Sequence, residues 1–367
     1  SSETNFTAGS VAERKVNATS TQVAKLAGVS QSAVSRAFTP GASIAESTRR
    51  KVLQAARKLG YQPNAIARSL STKRSKMIGI VIANVTTNPF YPEVLDALSR
   101  QFQQRGQRVM LFVVTRDQNL DDILPQLLEY RVDGILLTAA TLSSAMAHEC
   151  ARLGVPVTLF NRSVPDAHAS SFCCDNIEGG RMAARLFMKS GHHQFAFVAG
   201  SHDTSTSLER ERGFREELKQ HGLEPFIEMG KFSYQGAFEA ARRLMQLPKS
   251  PDAVFCANDI MAIGVLDALR HAEQKKVPED VSVIGFDDIP MAAWPSYNLT
   301  TIRQPIERMI DSAVNDLLDR INQDTMYPKQ ELVPGDLVVR SSAKLPSGLS
   351  SGWVISTSEN RSENRNV

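Results

Sequence analysis

Short apolar segments that alternate with helical stretches are the feature that most limits how this chain can fold. The segments "MIGIVIANV", "RVMLFVVT", "VDGILLTA" and "PVTLFN" are each followed by a stretch with helical periodicity. "FAFVAG", "AVFCAND" and "VSVIGFDD" continue the pattern towards the C-terminus. Buried strands that alternate with helices predict parallel sheets covered by helices on both faces.

The first 76 residues differ in charge from the rest of the chain. They contain 13 Lys and Arg but only three acids, which gives a formal charge of +10, whereas the remaining residues carry −7. This asymmetry indicates a head that binds a polyanion and a mildly acidic body. A basic tail that is merely solvated is the alternative. The length of 367 residues predicts two or three domains.

Several function classes have no support in the sequence. No apolar run is long enough for a membrane span, and the first residues lack the basic-then-apolar order of a secretory signal. The four cysteines show no metal-ligand spacing and predict reduced thiols in a cytoplasmic protein. "GHHQ" has no partner cysteines, and no nucleotide-binding or metalloprotease motif occurs. We therefore expect no enzyme activity, no metal and no cofactor.

The stretch "TSTQVAKLAGVSQSAVSRAF" predicts two short helices joined at a glycine. Thr19 and Gln22 fit a capping box at the first helix, Gly28 ends it, and Ser30 can cap the second helix. Such a pair is a helix-turn-helix, whose second helix fits the DNA major groove. The predicted buried face of that helix is Ala33, Val34, Ala37 and Phe38. The predicted outer face, which can reach base edges or phosphates, is Gln31, Ser32, Ser35 and Arg36.

A third, basic helix follows in "STRRKVLQAARKLG". Ser43 and Glu46 predict a second capping box at its start. Its predicted inner stripe is Val52, Ala55, Ala56 and Leu59. Its predicted basic face is Arg49, Arg50, Lys51, Arg57 and Lys58. A helix pair with a glycine turn is a weak signal alone, but this basic helix and the charge asymmetry make it a strong indication of DNA binding.

These segments and the downstream body resemble the lactose/galactose repressor (LacI/GalR-type) family of bacterial transcription regulators over about residues 18 to 345. The resemblance implies an N-terminal all-α helix-turn-helix head and an α/β body of two Rossmann-like, periplasmic-binding-protein-like lobes. It implies a helix-turn-helix domain at 18–63, a hinge helix and linker at 64–76 and an effector-binding and dimerisation domain at 77–345. Crossings between the lobes are expected near residues 174, 303 and 332. Disordered tails are predicted at 1–17 and 346–367.

The resemblance also assigns DNA-binding roles to particular residues. In the head these are Thr19, Ser30, Gln31, Ser32, Ser35 and Arg36. Gln31 can pair with adenine, or it can meet only a phosphate. In the hinge, Asn64 can cap a helix too short to form alone, which we expect to order on DNA. Leu70 matches the family's wedge, which inserts at a central base step in the minor groove.

Candidate effector-binding residues follow the predicted strands, whose carboxyl ends face a cleft in such sheets. They are Phe90, Tyr91, Asn161, Arg162, Asp175, Arg210, Phe232, Asn258, Asp287 and Gln304. Phe90 and Phe232 can stack on a sugar ring, with core packing as the alternative. Arg210 stands where the family's effector arginine does, three residues before a glycine, although an exposed helix arginine is the alternative. Asp259 is read as a helix N-cap rather than a ligand contact.

The sequence thus predicts a transcriptional repressor that binds a near-palindromic operator as a homodimer in the bacterial cytoplasm, associated with the nucleoid. A small sugar-like effector bound between the lobes would modulate its DNA binding. The alternatives are a stand-alone solute-binding protein of the same body fold, and a ligand-dependent activator or corepressor-type regulator.

Overall fold

The computed structural model describes residues 18–39, 41–63, 74–83, 87–115, 120–138, 143–163, 168–323 and 327–356. It divides into two compact units, Ser1–Ser75 and Lys76–Val367. The predicted N-terminal tail and the hinge residues Asn64 and Leu70 lie outside the described residues. Among the helices that are described, none is long and apolar enough to cross a membrane.

The first unit contains three helices, α1 (Ser20–Ala27), α2 (Gln31–Ala37) and α3 (Glu46–Leu59). The predicted capping box is confirmed, because Thr19 Oγ1 accepts from Gln22 N–H while the Gln22 side chain accepts from Thr19 N–H. Gly28 follows α1 at φ 65°, a left-handed conformation that favours glycine. Ser30 caps α2 by accepting from the backbone N–H of Ala33.

A small core holds the three helices together, and it includes buried Val23, Val34 and Val52. Two predictions about α3 are wrong. Ala45, not Ser43, occupies the cap position, and no side chain of the described residues caps this helix end. Leu59 is 37% exposed, because the last residue of α3 lies beyond the buried stripe.

The second unit contains two sheets, which define a first and a second lobe. The first sheet is parallel throughout, in the order β11-β5-β4-β3-β1-β2. Its strands are β1 (Met77–Ala83), β2 (Arg108–Val114), β3 (Gly134–Thr138), β4 (Val157–Phe160), β5 (Ala169–Cys174) and β11 (Gln330–Val333). The predicted parallel α/β architecture is confirmed.

The second sheet has the order β13-β12-β10-β9-β8-β6-β7. Its strands are β6 (Phe195–Ala199), β7 (Phe226–Met229), β8 (Ala253–Cys256), β9 (Ser282–Asp287), β10 (Thr300–Arg303), β12 (Asp336–Val338) and β13 (Val354–Ser356). The strands β7, β6, β8, β9 and β10 pair in parallel. At one edge, β12 pairs antiparallel with β10, and β13 pairs antiparallel with β12.

Eight α-helices are described in the second unit. They are α4 (Phe90–Gln104), α5 (Leu120–Glu129), α6 (Ser144–Arg152), α7 (Asn176–Lys189), α8 (Ser205–Lys219), α9 (Tyr234–Met245), α10 (Asp259–Asp267) and α11 (Ile306–Asn322). Helix α11 packs on α4 and on β3 to β5, so it belongs to the first lobe although it follows a strand of the second.

The chain passes between the lobes three times: after β5, between β10 and α11, and between β11 and β12. The backbone N–H of Asp175 in the first crossing donates to Val333 O beside the third, at 2.9 Å. A Cβ on Gly335 would lie 2.9 Å from Arg303 O and 3.1 Å from Cys174 Sγ. The three crossings therefore meet side by side.

The C-terminal segment differs from the predicted disordered tail. Residues 346–356 are described, and β13 pairs with β12, placing Val338 opposite Val354. Trp353 and Ile355 pack against the core of the second unit. The prediction of disorder is wrong for this part, because these apolar side chains gain a sheet edge and a core to cover.

Candidate functional site

A cavity lies between the two lobes, with about 360 Å³ of empty space of which part is open solvent. The lining residues from the first lobe are Thr87, Asn88, Tyr91, Asn161 and Arg162. Those from the second lobe are Thr206, Arg210, Phe232, Asn258 and Asp287. Most of them lie just past the carboxyl ends of parallel strands, where open α/β sheets bind ligands. Seven of the ten predicted effector-binding residues are brought together here.

Arg210 on α8 is the most deeply buried cation of the cavity, at 2% exposure. Its Nε donates to Asn176 Oδ1 at 2.9 Å and its Nη1 to Ala257 O at 2.5 Å. The guanidinium carbon lies 3.6 Å from the centroid of the Phe286 ring. Burial lowers the pKa of Arg210, and the Asp287 carboxylate opposes this effect. Nη2 has no hydrogen-bond partner among the described residues, so one buried donor remains for a ligand.

Asp287 ends β9 with φ 117°, a strained conformation for a residue with a side chain. Its Oδ1 accepts from Gln304 Nε2 at 2.7 Å and lies 3.6 Å from Arg210 Nη1. Its Oδ2 accepts from Asn88 Nδ2 at 3.4 Å. Burial raises the pKa of Asp287, while Arg210, Gln304 and Asn88 act in the opposite direction. The surrounding donors thus hold this acceptor at the cavity wall.

Asn161 and Arg162 follow β4 in the first lobe and are both nearly buried. Asn161 has φ 56°, and its Oδ1 has no partner in the part of the chain that is described. Arg162 Nη1 donates to Asn161 O at 2.9 Å and, across the cavity, to Thr206 Oγ1 at 3.2 Å. The cavity therefore offers a ligand an unpaired acceptor as well as donors.

Hydrogen bonds join the two lobes around the cavity. Besides the bonds from Asn88 to Asp287 and from Arg162 to Thr206, Ser163 Oγ donates to Glu209 Oε1 at 2.8 Å. The described conformation is therefore one in which the lobes touch across the cleft.

Three predicted effector-binding residues do not line the cavity. Phe90 is 1% exposed and packs in the core edge-on to Tyr91, because its side chain points away from the cleft at the start of α4. The proposed stacking of Phe90 on a sugar ring is therefore wrong. Asp175 caps α7 by accepting from Glu178 N–H at 2.9 Å. Gln304 acts indirectly, through its bond to Asp287.

Sequence reasoning missed Thr87 and Asn88, which lie in a loop whose path the local pattern does not define, and Thr206, which lies in the first turn of α8. The motif "TTNPFYP", which contains Thr87 and Asn88, was the signal available for these two residues. Asp259 is not the N-cap of α10, since Asn258 holds that position and accepts from Met261 N–H. Asp259 is buried and accepts from Thr301 Oγ1 at 2.6 Å and Ile289 N–H at 2.9 Å.

In the first unit, the outer face of α2 is exposed and polar, as predicted. The exposed residues are Gln31, Ser32, Ser35 and Arg36. Gln31 Nε2 donates to Ser20 Oγ at 2.8 Å, which orients its amide. Arg49 differs from the predicted basic face, because its guanidinium is half-buried and donates to Ala37 O and Ala42 O. The exposed cations of α3 are Arg50, Lys51, Arg57 and Lys58.

Comparison with known proteins identifies the family. The model for "bacterial regulatory proteins, lacI family" matches residues 21–64, and a periplasmic binding protein-like domain matches 184–343. The chain is 34% identical over 331 residues to the ribose operon repressor of Escherichia coli K12, covering 89% of this chain and 100% of that one. This chain belongs to the lacI family of bacterial regulatory proteins.

Solved structures agree with the assignment to the lacI family. The lac repressor dimer bound to operator and the anti-inducer ONPF has a TM-score of 0.80 at 27% identity, covering 89% of this chain and 99% of that one. A complex of the transcriptional regulator CelR with cellobiose has a TM-score of 0.68 at 31% identity, covering 89% and 100%. This lacI-family chain is therefore a DNA-binding transcription regulator with a periplasmic-binding-protein-like body.

Proposed function

We propose that this lacI-family chain represses transcription by binding a near-palindromic operator as a homodimer, and that a small sugar-like effector in the cavity changes its DNA affinity. The related ribose operon repressor and the CelR–cellobiose complex support this proposal. It places the protein at the nucleoid in the bacterial cytoplasm and assigns it no catalytic step.

The observation that carries the proposal is the unmet hydrogen bonding of the cavity. Arg210 Nη2 is a buried donor without a partner, and Asn161 Oδ1 is a buried acceptor without one among the described residues. Buried polar groups are nearly always paired, so these two atoms favour a ligand rich in hydroxyl groups. Phe232 adds an apolar surface at the same wall, which suits the face of a sugar ring.

DNA recognition is proposed for the outer face of α2. Gln31 and Ser32 begin that helix, where side chains of a recognition helix reach base edges, and Arg36 lies one turn later. Thr19 and Ser30 cap the two helices, and we assign them contacts to phosphates. The minor-groove role of Asn64 and Leu70 stays a prediction.

Effector control follows from the two-lobed cavity. A ligand shifts a conformational equilibrium only by its differential affinity for the two states. A molecule that bridges both walls favours the conformation in which the lobes touch. Coupling of about 1–3 kcal/mol would change operator affinity about 5- to 150-fold.

The test begins with an operator selected from random duplexes and an effector selected by its influence on that complex. Arg210→Ala and Asp287→Ala should bind the operator normally without effector and lose the response to it, because each removes a buried polar contact worth about 1–3 kcal/mol. Arg212→Ala is the matched control, since Arg212 lies on the same helix with its side chain 65% exposed.

Two outcomes separate the alternatives. If Arg210→Ala and Asp287→Ala still respond at the same effector concentration as the wild type, the cavity is not the effector site. If the effector tightens DNA binding, the protein is a corepressor-dependent regulator, and the sign of the coupling is reversed. A stand-alone solute-binding protein is disfavoured by the lacI-family match at 21–64.

A further inference from the structure

The charges that line the cavity do not balance. Arg162 and Arg210 are both lining cations, and Asp287 is the one carboxylate among the described lining residues. The carboxylate lies beside Arg210, with 3.6 Å between Asp287 Oδ1 and Arg210 Nη1. Within the described ranges, no carboxylate oxygen lies within the 4.0 Å ion-pair distance of the Arg162 guanidinium. Arg162 is therefore the lining cation without a direct ion pair among the described residues, although Asp203 and Asp287 are near enough to interact with it electrostatically.

The hydrogen bonds of Arg162 leave its bidentate edge unused. Both of its bonds start from Nη1, one to Asn161 O and one to Thr206 Oγ1. Nε and Nη2 lie on the same side of a guanidinium and together match the two oxygens of a carboxylate or phosphate. In Arg210, Nε and Nη1 are occupied and Nη2 has no partner among the described residues.

Burial makes the missing counter-charge costly. Arg162 is 6% exposed and Arg210 is 2% exposed. A buried charge is disfavoured unless it is paired and hydrogen-bonded. Glu209 stands nearby but accepts from Ser163 Oγ and Asn176 Nδ2 instead. A neutral ligand would leave Arg162 without a direct ionic partner among the described residues, whereas an anionic ligand would supply one.

We propose that the effector is an anionic polyol, a small sugar-like molecule with a carboxylate or phosphate group that binds to the free edge of Arg162 and to Nη2 of Arg210. Asn161, Asn258 and Asp287 are then the partners of its hydroxyl groups. The inference rests on the proposed function in taking this cavity as the effector site, and it narrows the class of effector.

The first experiment tests the anion subsite with simple ions. Thermal unfolding of the full chain is measured in glycolate, in inorganic phosphate and in chloride at equal ionic strength. We expect glycolate or phosphate to raise the Tm of the wild type and of Arg212→Gln by several degrees. The increase should be lost in Arg162→Gln. No increase in the wild type, or an equal one in Arg162→Gln, overturns the inference.

The second experiment compares sugars that share a ring and differ at one carbon. Binding of D-galactose, D-galacturonate and D-galactose 6-phosphate is measured by calorimetry, and the D-glucose series is measured in parallel. We expect one charged member of a series to bind at least about 10-fold more tightly than its neutral parent. Arg162→Gln should remove that difference, and the member that binds distinguishes carboxylate from phosphate.

The outcomes separate this inference from the proposed function. A neutral sugar that binds as tightly as both of its charged counterparts overturns the anionic class. If that sugar still changes operator affinity through Arg210, the proposed function stands. If no sugar of either series binds, the ion experiment alone decides whether Arg162 forms an anion subsite, because it requires no particular sugar ring.

Discussion

His192 is a buried histidine remote from the cavity, placed in the loop before β6. It is 4% exposed, its Nδ1 lies 3.4 Å from Asp252 Oδ1, and it packs edge-on to Phe187. Its Nε2 has no partner in the described part of the chain, so a proton there would lack an acceptor. Burial lowers the pKa of His192, Asp252 opposes this, and Lys344 and His193 add to the lowering.

This lowered pKa predicts an acid-sensitive step in stability. Below about pH 6.5 the unfolded chain takes up a proton that folded His192 resists, so the free energy of unfolding falls as pH decreases towards the folded pKa. One such group contributes a slope of at most about 1.4 kcal/mol per pH unit. His192→Gln should reduce that slope in urea unfolding between mildly acidic and neutral pH.

An exposed histidine elsewhere in the chain supplies the control for the acid-sensitive step. His221 is exposed and is not among the groups that shift the pKa of His192, so His221→Gln should leave the slope unchanged. Equal slopes in wild type and His192→Gln would contradict the assignment to His192.

Individual residues of the cavity were predictable where they follow a strand directly. Asn161, Arg162 and Asp287 stand at strand ends, and sheet geometry alone directs such residues towards the cleft. The orientation of Phe90 was not predictable, because a shift of one residue at the start of α4 decides whether its ring faces the cavity or the core. The indirect role of Gln304 could not be predicted from the sequence either, since it depends on a hydrogen bond to Asp287 from another strand end.

At the scale of elements, the close crossing of α7 and α8 depends on two glycines. A Cβ on Gly180 would collide with Arg210 O and lie 2.8 Å from Phe214 N. A Cβ on Gly213 would collide with Ile177 O. Both obstacles are backbone atoms, which cannot rotate aside as a side chain can. Since α8 carries Arg210, this crossing also fixes the depth of the guanidinium in the cavity.

Gly180→Ala and Gly213→Ala should each destabilise the protein by about 1–3 kcal/mol or more, because the helices must separate. Gly79→Ala is the matched control, since the atoms nearest to its Cβ would belong to the side chain of Leu127, the first at 2.8 Å. Urea unfolding measures the effect. A smaller loss at Gly180 and Gly213 than at Gly79 would show that the helices yield easily.

Elements with strong local signals were predictable, and those that depend on distant partners were not. The caps of α1 and α2 follow from Thr19 and Ser30, because a cap is a contact within four residues. The sequence predicted Ser43 as the cap of α3, but the structure has Ala45 there, and the preceding turn is held by Arg49, whose bond to Ala42 O comes from within the following helix. Strand β13 forms only because β12 supplies an edge.

For the whole molecule, the charge asymmetry predicts strongly salt-dependent DNA binding. The exposed cations of the first unit include Lys25, Arg36, Arg50, Lys51, Arg57 and Lys58. If a bound dimer neutralises about six phosphates, log K should fall with a slope near −5 against log salt concentration. Titration of operator and random duplexes at several salt concentrations measures this. Binding that is independent of salt, or stoichiometric binding by monomers, would contradict the prediction.

Arg36→Gln refines the same titration. If Arg36 contacts a phosphate, its loss should weaken binding to operator and random DNA alike and reduce the salt slope by about 1. If Arg36 reads a guanine, the loss should fall mainly on the operator, by about 1–3 kcal/mol.

The three crossings that meet at Gly335 limit the degrees of freedom of the body. Two lobes joined by a single connecting segment could twist, slide and tilt independently. Three connecting segments side by side leave one easy motion, a rotation of the lobes about the line of the crossings. We expect lobes that have separated to sample few relative orientations, so closure on a ligand should lose little orientational entropy. More of the contact free energy at Arg162, Arg210 and Asp287 is therefore left to discriminate one ligand from another.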